Sequence, residues 1–175
     1  IWCARDIVGD EPFAILLPDE FMHGAPGCLR QMVDAYEQTG GNLICALEVP
    51  MEQTPSYGVL DPGGQSGALT EVKGLVEKPA PGTAPSNLII AGRYILQPEV
   101  MRYLSRHEKG AGGEIQLTDA MAAMIGKQPF HGVTFEGQRF DCGSKAGYIE
   151  ANLALALERE DIGPHIREFA RRLVS

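Results

Sequence analysis

Two spacings of apolar residues alternate along the first third of this chain. PFAILLPDE is a short continuous apolar run closed by a proline and two acids, which predicts a strand buried on both faces, as in a parallel sheet. GCLRQMVDAYEQTGG follows with Leu29, Met32, Val33 and Tyr36 on one helical face and a Gly-Gly end, the pattern of an amphipathic helix. NLICALEVP returns to the buried-strand pattern. Before all of these, IWCARDIVG places Trp2, Ala4, Ile7 and Val8 at rough helical spacing and stops at Gly9. Those residues read as the last turns of a helix with nothing before Ile1 to cap it, so the chain is expected to be cut from something longer.

Further on, YGVLDPGG and ALTEVKGLVEKP predict two strands joined by a DPGGQSG turn, and SNLIIAGRYIL predicts another strand. PEVMRYLSRHEKG and EIQLTDAMAAMIGKQ read as helices, the second ending at Gly126. FHGVTFEGQRFDCG holds two short strands with Gly137 at the bend. KAGYIEANLALALERE is strongly helical, and IGPHIREFARRLV adds a last helix with Pro164 near its start. There is no repeat and no hexapeptide β-helix pattern. Strands alternating with helices predict an α/β fold. The expected architecture is a mixed, mostly parallel sheet flanked by helices, with a small subsidiary β element and C-terminal helices. A single domain is expected, residues 1–143 forming the sheet and 144–175 the closing helices.

Composition narrows the function classes. With 44% hydrophobic residues in 175, one real core is expected. Net charge is −8 and the longest basic cluster is REFARRL, which argues against a nucleic-acid partner. No stretch approaches the ~20 apolar residues of a membrane span, and the N-terminus has no signal-peptide pattern. Cys3, Cys28, Cys45 and Cys142 lie far apart, with no C-x-x-C pair and no His at ligand spacing. That spacing argues against zinc and disulfides and fits a reducing cytoplasm, with most of the four as small core side chains. Cys142, between an aspartate and a glycine, is the exception worth watching.

Candidate chemistry sits where strands end, because ligands of open α/β sheets collect at carboxyl edges. Pro18 breaks the ladder and delivers Asp19 to the edge, where its carboxylate can ligate Mg²⁺; a solvated turn or helix N-cap is the bland alternative. FDCGSK repeats the arrangement with Asp141, a second oxygen ligand or an ordinary turn aspartate, and Ser144 able to cap the next helix. In VEKP, Glu77 suits a sugar's vicinal hydroxyls and Lys78 a phosphate. Neighbours on a strand face opposite ways, so both reach one ligand only if the strand breaks there, and Pro79 supplies a break. A solvated surface Glu-Lys pair is the alternative. Gly58 and Gly92 allow close backbone approach, and Asn87 opens a strand; a bulge or turn explains each equally. Glu114 and Asp119 are explained by a helix macrodipole. His23, His107, His131 and His165 have no nucleophile pattern around them, and no glycine-rich phosphate loop is present.

The ordered strings VGDEPFAILLPDE, YGV, VEKP, SNLIIAGRYIL, GEIQLTDAM and FDCGSKAGYIEANLALAL span nearly the whole chain. Together they resemble the bacterial UTP–glucose-1-phosphate uridylyltransferases of the sugar-nucleotide pyrophosphorylase family. Asp141-Cys142-Gly143, where sugar-thymidylyl relatives show D-T-G, favours the uridylyl branch. The resemblance implies a Rossmann-like nucleotidyltransferase sheet and a reaction in which glucose 1-phosphate attacks the α-phosphorus of UTP, giving UDP-glucose and pyrophosphate. By position it makes Asp19 and Asp141 Mg²⁺ ligands, Glu77 the glucose-hydroxyl acceptor and Lys78 the sugar-phosphate contact. Gly58 and the backbone near Ile90 match positions lining the glucose pocket. Glu20 stands where many members carry a second aspartate, which puts a direct contact from it in doubt.

Two polyanions must meet in such a reaction. At ~4 Å two like unit charges repel by about 4 kcal/mol at an effective dielectric of about 20, which a metal ion and a lysine offset. The family's glycine-rich triphosphate loop is absent, so the chain resembles the C-terminal portion and is expected to be inactive or nearly so in isolation. A homo-oligomer, dimer or tetramer, is implied through the apolar C-terminal helices. The competing readings are a thymidylyl or other sugar nucleotidyltransferase, and a non-catalytic sugar-phosphate-binding or assembly module.

Overall fold

The computed structural model describes residues 1–106 and 113–174. A 3₁₀ turn, Trp2–Ala4, runs into α1, Arg5–Val8, which stops at Gly9 in a left-handed conformation (φ 67°). The strands and helices follow in the order β1 Phe13–Leu16, β2 Glu20–His23, α2 Cys28–Thr39 and β3 Asn42–Glu48. A 3₁₀ segment, Met51–Ser56, leads into β4 Gly58–Ser66, β5 Leu69–Glu77 and β6 Leu88–Leu96. Then come α3 Val100–Leu104, α4 Leu117–Ala122, β7 Phe130–Thr134, β8 Gln138–Asp141, α5 Lys145–Glu158 and α6 Gly163–Val174. The tail of the helix expected from PEVMRYLSRHEKG lies outside the described residues from 107 on.

Six strands form one mixed sheet in the order β1-β6-β3-β7-β5-β4. Only β3 and β7 run parallel; the other pairings are antiparallel, so the expected predominance of parallel strands is corrected. The reason is that an unbroken apolar run reports burial on both faces and is silent on direction. β6 is buried from Ile89 to Leu96 while running antiparallel to both β1 and β3. β1, expected to be buried on both faces, is an edge strand, and Leu16 is 50% exposed.

The turn expected at DPGGQSG is also displaced. β4 continues through Pro62 with register shifts, and the chain reverses at Gly67 (φ 60°). Proline is tolerated because β4 ends the sheet order, where a missing N–H costs little. β4 also touches β6 through the single pair Val59↔Ile89, so the sheet curls and the open end of the hairpin meets the start of β6. That closure creates a cleft.

β2 was not foreseen. It pairs with β8 in a separate two-stranded sheet, Glu20 opposite Asp141. This ribbon is the subsidiary β element, whereas the Tyr57–Pro79 hairpin belongs to the main sheet. Ser144 caps α5 by accepting the Gly147 N–H at 3.0 Å, as the sequence predicts.

Two apolar clusters hold the sheet. Ile44, Leu60, Leu96, Val100 and Met121 lie in one; Met32, Leu43, Ile95 and Phe135 lie in the other, with α2. Each fully buried side chain of this size contributes about 1.5–3 kcal/mol. Cys28 and Cys45 belong to the second cluster, their sulfurs 3.7 Å apart, so two of the four cysteines are small core side chains. Among the described residues no helix is long and apolar enough to cross a membrane.

Candidate functional site

The β2–β8 ribbon draws the two strand-end aspartates together. Asp19 sits in the turn before β2 and its carbonyl accepts the Cys142 N–H at 2.7 Å. Asp141 ends β8, and its Oδ1 accepts the Gly143 N–H at 3.0 Å. A Cβ placed on Gly143 would stand 3.1 Å from Asp141 Oδ1 and 3.2 Å from Asp19 Oδ2. Both carboxylates therefore face the same small volume, and any side chain at position 143 would intrude between them. From sequence Gly143 was read only as part of the Asp141-Cys142-Gly143 string; its place between the two carboxylates is a product of the tertiary structure.

Asp19 and Asp141 offer oxygen donors alone. Among the described residues they belong to no cluster of three or more His, Cys, Asp or Glu suited to a metal. Zinc would ask for more protein ligands and softer ones. Mg²⁺ takes oxygens and keeps waters and substrate phosphates, so a two-carboxylate set fits it.

A cleft of about 250 Å³ opens beside this ribbon, walled by Gly58, Glu77, Ile90, Gly92, Tyr94 and Thr118. Gly58 and Glu77 face each other across the β4–β5 hairpin, and the Val59↔Ile89 closure brings Ile90 against them. A Cβ on Gly58 would meet Ile90 Cδ1 at 2.7 Å and Glu77 Oε2 at 3.0 Å. Thr118, on the first turn of α4, donates to Glu77 Oε2 at 2.7 Å and fixes that carboxylate. Tyr94 forms part of the floor. Burial first, then the nearby charges of Glu77 and Glu20, hold its phenol above the ordinary range.

The strand breaks at Lys78, which is not among the residues that wall the cleft. β5 ends at Glu77, and Lys78 adopts φ +46°, the left-handed region that non-glycine residues seldom occupy. Its N–H is tied to the Tyr57 carbonyl at 3.0 Å. The break expected at Pro79 thus falls one residue earlier. The Lys78 side chain is exposed.

Glu20 is committed elsewhere. It forms a two-pronged pair with Arg139, at 2.5 Å and 2.6 Å, the two side chains only 12% and 14% exposed. Burial alone would weaken the Arg139 guanidinium's hold on its proton; the bonds to Glu20 and Tyr57 more than offset this and hold it above its ordinary value. Buried Arg93 donates to the carbonyls of Leu17, Glu20 and Gly92 and so clamps the loop that bears Asp19. Gly92 (φ 59°) leaves room for Glu20, whose Cγ would lie 2.7 Å from a Cβ there.

Of the residues singled out from sequence, Gly58, Glu77, Ile90 and Gly92 share the cleft wall, while Asp19 and Asp141 meet at the ribbon beside it. Asn87 is not among the wall residues; its carbonyl accepts the Val49 N–H at 3.1 Å just before β6 begins. Thr118, Arg139 and Arg93 were missed, because their roles arise from contacts between distant segments.

The nucleotidyl transferase family matches residues 1–158. A UTP–glucose-1-phosphate uridylyltransferase of Komagataeibacter xylinus is 58% identical over 145 residues, 83% of this chain and 51% of that protein. One of Bacillus subtilis is 43% identical over 175 residues, 100% of this chain and 60% of that protein. The chain thus spans between half and three-fifths of the length of these relatives. A crystal structure of UDP-glucose pyrophosphorylase complexed with UDP-glucose superposes with a TM-score of 0.86 at 37% identity, covering 90% of this chain and 61% of that one. With the match running from residue 1 through the end of α5, over the ribbon and the cleft alike, the chain belongs to the nucleotidyl transferase family.

Proposed function

We propose that this chain carries the sugar-phosphate pocket and metal carboxylates of a UTP–glucose-1-phosphate uridylyltransferase. The observation that carries the reading is the Glu77 carboxylate, held by Thr118 in the cleft wall beside Gly58 and followed by the left-handed Lys78. In this reading Glu77 accepts hydrogen bonds from vicinal glucose hydroxyls. The Lys78 ammonium balances the sugar phosphate. Gly58, Gly92 and the backbone at Ile90 leave room for the ring.

The reaction is in-line transfer. A phosphate oxygen of glucose 1-phosphate forms a bond to the α-phosphorus of UTP as the bond to the pyrophosphate oxygen breaks, yielding UDP-glucose and pyrophosphate. Asp19 and Asp141 are the residues that would hold Mg²⁺, which supplies neutralisation of phosphate charge when bound. Residues 1–143 form the catalytic sheet and 144–175 the C-terminal helices. Exposed Tyr148, Ile149 and Phe169 on those helices support a homo-oligomer, dimer or tetramer, which light scattering would detect.

Calorimetric titration of glucose 1-phosphate into the chain, with and without Mg²⁺, tests the reading. Saturable binding that is lost in Lys78→Ala and Glu77→Gln is expected, with Asp19→Asn removing only the Mg²⁺-dependent part. No binding by the wild-type chain, or binding indifferent to Lys78 and Glu77, would overturn it.

A further inference from the structure

β6 carries a cation where cations are seldom found. Arg93 lies on this strand, between β1 and β3, and is only 9% exposed. A buried guanidinium is costly unless its N–H groups are met. Arg139 meets the Glu20 carboxylate, whereas Arg93 forms no ion pair among the described residues and directs its donors to backbone carbonyls. Its Nη1 donates to Leu17 at 2.8 Å and to Gly92 at 3.0 Å, and its Nη2 donates to Glu20.

The three carbonyls come from two places that the proposed chemistry uses. Leu17 and Glu20 stand on either side of Asp19 in the chain, and Pro18 between them has no N–H with which to fasten the loop. Gly92, in its left-handed conformation, belongs to the cleft wall. Its carbonyl also accepts the Leu17 N–H at 2.9 Å, so the loop and β6 are joined twice at one atom. On the other side, the Asp19 carbonyl accepts the N–H of Cys142, the residue after Asp141, at 2.7 Å. Asp19 is thus suspended between two fastenings, Arg93 on its flanks and the end of β8 at its own carbonyl. Without the guanidinium the Leu17 carbonyl keeps only the long 3.4 Å contact from the Glu20 N–H.

We infer that Arg93 is a positioning residue for the metal site: it sets the Asp19 carboxylate against Asp141 by tying the Asp19 loop to the cleft wall at Gly92. The inference rests on the reading of Asp19 and Asp141 as the Mg²⁺ ligands. A site with only two protein carboxylates depends on their mutual placement, because there is no third protein ligand to hold the ion if one drifts. Groups that hold a ligand without touching the metal typically account for 10–100-fold in metal affinity. An arginine suits the task because its planar head carries five N–H donors and reaches several acceptors at once. A lysine is a single point charge that serves fewer of them.

The test is binding of Mn²⁺, which takes the same oxygen ligands as Mg²⁺ and whose free ion is counted by its paramagnetic resonance signal. Asp19→Asn defines the background from surface carboxylates. Above that background, Arg93→Met is expected to weaken Mn²⁺ binding about tenfold or more, and Arg93→Lys by less. Leu104→Ala, which opens the apolar cluster on α3, is a control for lost stability and is expected to bind Mn²⁺ as the wild type does. Amide exchange at Cys142 should quicken in the Arg93 variants, since the Asp19 carbonyl that holds this N–H is released. Thermal melts identify any variant that fails to fold, and Arg93→Lys carries the test if Arg93→Met does not fold. Unchanged Mn²⁺ affinity in each folded Arg93 variant, or an equal loss in Leu104→Ala, would overturn the inference and leave the metal reading of Asp19 standing. Wild-type binding no tighter than that of Asp19→Asn would remove that reading, and the inference with it.

Discussion

Thr118 Oγ1 donates a 2.7 Å hydrogen bond to Glu77 Oε2, joining the start of a helix to the end of a strand 41 residues away. The bond occupies one lone pair of the carboxylate and aims the others into the cleft. Thr118→Val keeps the shape and removes the donor, and a hydrogen bond to a charged group is worth about 1.5–3 kcal/mol. Glucose 1-phosphate affinity should fall by roughly tenfold, with Thr118→Ser restoring most of it. Calorimetry of the two variants checks this. Equal losses in both would mean that packing, not the hydroxyl, matters.

Gly58 occupies a position where a single methyl group has nowhere to go. Its Cβ would meet Ile90 Cδ1 at 2.7 Å and the Glu77 carboxylate at 3.0 Å. The Ile90 terminus can rotate away, whereas displacing Glu77 spoils its bond to Thr118. Gly58→Ala is therefore expected to lower glucose 1-phosphate affinity by about tenfold or more, with a stability loss of only about 1 kcal/mol. Titration and denaturant melts on the same preparation separate the two effects.

The Glu20–Arg139 pair makes a different prediction, because it is a buried pair and no part of the proposed chemistry. Glu20→Ala leaves a buried guanidinium without its partner and should cost about 3 kcal/mol of stability. Arg139→Met in the same chain removes the orphaned charge and should return most of that loss. Urea unfolding of the single and double variants forms the cycle; a double variant no more stable than the single would contradict it.

Tyr94, 6% exposed, is held protonated by burial and by the charges of Glu77 and Glu20. Because the folded chain binds this proton more tightly than the unfolded chain, the associated stability is full below about pH 10 and is lost as pH rises further. Denaturation midpoints should therefore fall steeply in the alkaline limb. Tyr94→Phe should flatten that limb without changing the midpoint near neutrality by more than the loss of one hydroxyl.

Much of this fold was legible because its elements are bounded by local chemistry. Gly9 and Gly40 end helices, Ser144 caps one, and the buried runs at Asn42–Glu48 and Leu88–Leu96 form the centre of the sheet. β2 escaped because EFMH is four residues long and gains its identity only by pairing with β8. The direction of the strands escaped too, since neighbours buried on both faces look alike whichever way they run. Among site residues, Asp19, Glu77 and Asp141 stood out as acids at strand ends. Asn87 stood out because it opens a strand, yet it is not among the residues that wall the cleft.

Local sequence by itself determined where strands stop and which polar groups stand at their tips, since apolar period, proline and glycine act within a few residues of themselves. Tertiary structure alone decided which tips meet. The Val59↔Ile89 closure sets Glu77 beside Ile90, the β2–β8 ribbon sets Asp19 beside Asp141, and α4 brings Thr118 to Glu77. Those meetings are contacts between segments tens of residues apart, and their energy comes from burial shared by the whole sheet. No short window of the chain contains it.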